Sequence, residues 1–96
     1  MRPSTALNIY RNQIRTIVTT HHAKNARVFG SVISVEDTDS SDLDILIEPT
    51  EKTSLMDIGA IRHELKILLG VNVDVVTPNA LPESFRKQVL NEAIIV

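Results

Sequence analysis

The stretch Ala26-Arg27-Val28-Phe29-Gly30-Ser31, followed by Ser41-Asp42-Leu43-Asp44-Ile45-Leu46-Ile47, decides how this chain reads. An apolar run closed by a Gly-Ser pair has the form of a short buried strand ending in a tight turn. The second run sets two carboxylates among Leu43, Ile45 and Ile47. Alternate residues of a strand share a face, so Asp42 and Asp44 project side by side. Carboxylates at that spacing repel each other unless a cation lies between them. A divalent ion that takes oxygen ligands and shares them with phosphates, Mg²⁺ above all, meets the requirement.

Charge placement supports this. Six of the twelve acidic residues fall in 36–48, and no Lys or Arg lies between residues 28 and 51. Such a region attracts cations, and a triphosphate enters it with its metal attached. Over the whole chain the net charge is −2 with a pI near 5.8, which argues against direct binding of a nucleic-acid backbone. Aromatic residues make up 3%, too few for a base-stacking platform, so the core is aliphatic.

With 96 residues the chain is expected to form a single domain. Cysteine is absent, which removes disulfides and thiolate metal sites. No apolar run approaches the ~20 residues of a membrane span. The opening Met1-Arg2-Pro3-Ser4 lacks a secretory pattern. A cytoplasmic protein without membrane attachment is the expectation.

Around the motif, the spacing predicts a helix over 4–20, a strand over 26–29, a brief helix over 31–36 and turn chemistry over 37–41. A strand follows over 42–48, ended by Pro49. Ser54 and Asp57 resemble a capping box opening a helix over 54–69, with Gly70 as its stop. Val71 to Val76 reads as a third strand, and 82–92 as a helix with Phe85, Val89 and Leu90 facing inward. Residues 93–96 would add a terminal strand. Strands alternating with helices indicate an α/β layered domain whose strand order is open.

Asp74 stands mid-strand between Val73 and Val75, unfavourable without a partner. If the second and third strands are neighbours, it reaches the pole of Asp42 and Asp44. Three carboxylates with two metal ions are the usual apparatus for in-line displacement at phosphorus. Gly30-Ser31 would bring backbone N–H groups and a hydroxyl to phosphate oxygens. Taken singly, Asp42 and Asp44 read also as a polar strand start, and Asp74 as a carboxylate reaching solvent; the Gly-Ser pair at this distance favours a site. The adjacent His21 and His22 suit the cationic end of a helix better than a zinc site. Tyr10 reads as core, and His63, Arg86 and Lys87 as surface.

Together, Phe29-Gly30-Ser31, Ser41-Asp42-Leu43-Asp44-Ile45 and Val73-Asp74-Val75-Val76-Thr77-Pro78 resemble the minimal nucleotidyltransferases of the polymerase-beta-like superfamily. The resemblance runs from about residue 26 to the end. It implies a small mixed sheet with flanking helices. It also implies two Mg²⁺ ions on Asp42, Asp44 and Asp74, with Asp74 helping to activate the acceptor, and ATP held by Gly30, Ser31 and Ser41. Stand-alone proteins of this type serve as antitoxins to HEPN-domain ribonuclease toxins, and some transfer AMP to a toxin tyrosine. The resemblance thus implies a hetero-oligomer with such a toxin. One departure stands out: the family's Arg-x-Arg-Gly after Gly-Ser is here Val32-Ile33-Ser34-Val35. Arginine makes bidentate contacts to phosphate, so its loss weakens the grip on the triphosphate. The alternative is an antitoxin that acts by binding alone.

Overall fold

A computed structural model describes all residues, 1–96. In chain order it contains α1 (Pro3–Ile9), α2 (Arg11–Thr20), β1 (Ala23–Phe29), β2 (Leu43–Pro49), α3 (Leu55–Leu69), β3 (Val73–Val76), α4 (Glu83–Glu92) and β4 (Ile94–Ile95). The strands form one mixed sheet in the order β3-β2-β1-β4, with β2 and β3 parallel and the other pairs antiparallel. The parallel pair requires a crossover, which α3 provides.

One sheet face carries the core. Val28, Leu43, Ile45, Ile47 and Val73 pack with Ala6 and Leu7 of α1, Ile14 and Val18 of α2, and Ile61, Leu65 and Leu69 of α3. Strand alternation sends Phe29, Asp44, Leu46 and Asp74 to the other face. That face is covered only in its lower part. Leu46 is fully buried outside the main core cluster, and the turn Pro78–Ala80 packs on β2.

Helix α3 forms as its sequence dictates. Ser54 accepts the Asp57 N–H, the Asp57 carboxylate accepts the Ser54 N–H at 2.8 Å, and Gly70 ends the helix in the left-handed region. Elsewhere the expected elements shift. The helix over 4–20 is two helices, broken at Tyr10 (φ −109°, ψ 21°). Neither proline nor glycine causes the break; it turns Pro3, Ser4, Ala6 and Leu7 inward while Ile9 stays exposed. Strand β1 starts at Ala23, ahead of the expected 26, because a bulge between Lys24 and Arg27 keeps it paired. Asn25 adopts φ +52° there, a conformation asparagine tolerates. Helix α4 buries none of its residues fully: of the expected inward face, Val89 and Leu90 are half-buried, whereas Phe85 is 43% exposed. Leu81, in the turn before α4, is buried instead.

The brief helix expected over 31–36 is a single 3-10 turn, Gly30–Val32, followed by Val35 at φ +57°. A β-branched residue in the left-handed region is strained. The related pattern has glycine at this position, a residue that adopts such a φ without strain. Val35→Gly is therefore expected to stabilise the fold by about 1 kcal/mol, after allowing for glycine's greater unfolded-state entropy. An upward shift of the urea midpoint at unchanged slope checks this.

Candidate active site

The site is built from the upper row of the uncovered face. Asp44 of β2 lies in register with Asp74 of β3 on one side and Phe29 of β1 on the other. Asp42 stands two residues before Asp44, so alternation puts its side chain on the same face. The three carboxylates therefore converge, as the spacing requires if β2 and β3 are neighbours. Asp42 and Asp74 are exposed and Asp44 is half-buried. Burial, then the charges of Asp74 and Asp42, push the Asp44 carboxyl up to about 6. No Lys or Arg of the chain offsets this.

Gly30 closes the site from the β1 side. Its φ is +80°, and a Cβ built there would lie 2.5 Å from Oδ2 of Asp44. The Gly-Ser turn and the central carboxylate are thus in direct apposition, which only glycine permits. Ser31 follows, exposed at the start of the 3-10 turn; its carbonyl accepts from the Glu36 N–H and the Ser34 hydroxyl. Ser41 lies beside Asp42, but its Oγ accepts the Thr38 N–H at 2.8 Å and so holds the acidic turn. An open groove of about 330 Å³ adjoins this turn, with Lys66 as its cationic lining residue.

The side chains do not close into a ready three-ligand cage. Their donor chemistry fits a hard divalent ion nonetheless. All three groups offer oxygens, they repel one another, and the central one is held half-protonated near pH 6. An ion completing its shell with phosphate and water oxygens suits such a rim.

Arg27 was not among the residues expected near the site. It sits just before the cation-free stretch and, by alternation from Phe29, shares the site face one row lower, in register with Leu46. Its Nε is buried without a hydrogen-bond partner, and its charge is not among those acting on Asp44. Strand period alone would have placed it. His21 contacts Glu64, and Nδ1 of His22 lies 3.4 Å from both oxygens of Asp57. The pair ties the end of α2 to the carboxylates of α3, away from the Asp42, Asp44 and Asp74 row.

Residues 12–96 match the family model described as polymerase beta, nucleotidyltransferase. A Methanocaldococcus jannaschii relative named for protein adenylyltransferase activity is 38% identical over 94% of this chain and 97% of its own length. Protein adenylyltransferase MntA of Thermococcus cleftensis is 33% identical, over 88% of this chain and 93% of its own. A solved structure described as a minimal nucleotidyltransferase superposes with a TM-score of 0.88 at 38% identity, covering 100% of this chain and 97% of that one. A toxin-antitoxin crystal structure with AMP-PNP shares the fold, with a TM-score of 0.73 at 19% identity over 88% of this chain and 69% of that one. No helix of this chain is long and apolar enough to cross a membrane. With its Gly-Ser turn set against an in-register row of aspartates, the chain belongs to the polymerase beta nucleotidyltransferase family.

Proposed function

We propose that this chain is a protein adenylyltransferase that transfers AMP from Mg·ATP to a tyrosine hydroxyl of a HEPN-domain toxin, and so acts as its antitoxin in the cytoplasm. The whole chain would serve as one nucleotidyltransferase domain in complex with the toxin. The names of its relatives support the transfer chemistry. The observation that carries the reading is the Asp44–Asp74 register pair beside Asp42, whose mutual repulsion no Lys or Arg of the chain offsets at Asp44.

The phenolic oxygen forms a bond to the α-phosphorus, the bond from that phosphorus to the β-phosphate oxygen breaks, and pyrophosphate leaves. Mg²⁺ held by Asp42, Asp44 and Asp74 would make the acceptor oxygen more acidic and offset charge on the leaving group. Asp74, exposed at the edge strand, orients the acceptor hydroxyl and takes its proton. Gly30, lacking a side chain, lets the backbone approach the phosphates, and the Ser31 hydroxyl donates to them. Ser41 supports nucleotide binding by holding the turn before Asp42.

A second reading, neutralisation by binding alone, has one observation in its favour. Val32, where the related pattern carries an arginine, is buried in the core here. One assay separates the two. With α-labelled ATP, Mg²⁺ and a HEPN-domain toxin, the wild type should label the toxin, and Asp42→Asn/Asp44→Asn should lose the label together with neutralisation. Equal neutralisation by both forms with no label on either defeats the enzymatic reading.

A further inference from the structure

Asp37 is a carboxylate that the reaction does not use, yet it is only 3% exposed. Its Oδ2 accepts the backbone N–H of Ser4 at 2.7 Å, a contact spanning 33 residues of sequence, and its Oδ1 is buried without a partner. Burial works to raise the pKa of Asp37; the hydrogen bonds from Ser4 and its own backbone, with the charge of Arg2, more than offset it and hold the group below the ordinary carboxylate value. Ser4 is the second residue of α1, where N–H groups lack partners within the helix.

The turn after Asp37 is closed on itself. The Thr38 N–H donates to the Ser41 hydroxyl at 2.8 Å and the Ser41 N–H to the Thr38 carbonyl at 3.0 Å. Asp42 follows directly, and the Leu43 N–H then joins the ladder through the Asn72 carbonyl at 2.8 Å. A rigid turn of this kind stands where its two ends are fixed. One end is β2, and the other is Asp37. Helix α1 and Ser4 precede residue 12, where the family match begins.

We propose that Asp37 is a positioning residue: by clamping the 38–41 turn to α1 it sets Asp42 at the height of Asp44 and Asp74. The inference rests on the proposed function only in taking Asp42 to serve nucleotide binding. Asp37→Ala removes the acceptor, whereas Asp37→Asn keeps an oxygen that can accept the Ser4 N–H. Two measurements follow on each, with melting curves to establish folding. Calorimetric titration with Mg·AMP-PNP should show about tenfold weaker binding for Asp37→Ala and recovery to within about twofold for Asp37→Asn. Amide hydrogen exchange should accelerate at Ser41 and Asp42 in Asp37→Ala while α3 and β1 keep wild-type protection. Wild-type affinity and exchange in Asp37→Ala overturn the proposal. If the wild type fails to bind Mg·AMP-PNP, the functional reading falls and the exchange data alone decide the clamp. Should Asp37→Ala not fold, Asp37→Glu, which displaces the carboxylate by one methylene, carries the same comparison and the same expectations.

Discussion

Asp44→Asn is expected to lower nucleotidyl transfer by roughly a thousandfold while making the protein more stable at neutral pH. The two effects have one cause. In the wild type, Asp44 is partly desolvated and faces the like charges of Asp74 and Asp42, which raise its pKa from 3.8 to about 6. A carboxyl raised in the folded state binds its proton more tightly there than in the unfolded chain. Stability therefore falls as pH rises from about 4 to about 6 and stays at the lower level above that window. Asparagine keeps the shape without the charge and removes the penalty. Because Asp44 is half-exposed, solvent screening limits the gain to about 1 kcal/mol. Denaturation at pH 4.5 and 7.5 should show the wild type losing stability between the two, with Asp44→Asn flatter. Asp37 acts with the opposite sign: its lowered pKa contributes stability above the ordinary carboxylate value that is lost only at lower pH. Millimolar Mg²⁺ should raise the wild-type Tm and leave that of Asp44→Asn unchanged. A variant that is both less stable and fully active would sink this account of the site.

Gly30→Ala should be the most damaging single methyl in the chain. Its backbone at φ +80° costs an L-residue about 1–2 kcal/mol, and the new Cβ would meet Asp44 Oδ2 at 2.5 Å. The carboxylate has to move, and misplacing a reacting group by about 1 Å costs on the order of a hundredfold in rate. Gly70→Ala provides the control. It shares a positive φ, +68°, but nothing lies within 4 Å of its Cβ. It should lose a similar 1–2 kcal/mol with activity intact. Activity assays beside melting curves for the two variants separate backbone strain from displacement of Asp44.

What the sequence disclosed was local. Ser54, Asp57 and Gly70 fix α3 because caps and stops act within one helical turn. The same holds for Asp42 and Asp44, whose common face follows from strand period. The Asp44–Asp74 register needed β2 and β3 to be neighbours, a contact made only when α3 folds back, and no pattern within either strand states it. The break at Tyr10 and the exposure of Phe85 were hidden because packing, and not propensity, decides both. Asp37 reads in the sequence only as turn chemistry, since its partner Ser4 is a backbone group far away in the chain. Val35 could have been suspected from the glycine of the related pattern; that its backbone would hold the left-handed shape could not.

All three long-range packing helices, α1 to α3, contribute their buried residues to the same side of the sheet, and α4 buries none. Asp42 and Asp74 consequently stand exposed on an open ledge, beside the shallow groove that Ser41 and Lys66 line. Small metabolites are usually recognised by being enclosed, which this architecture does not provide. A ledge instead admits a bulky reactant that presents one protruding side chain, and leaves the choice of reactant to whatever surface docks beside it. Selectivity would then reside in the encounter between two macromolecules, with the chemistry common to any hydroxyl delivered to that ledge.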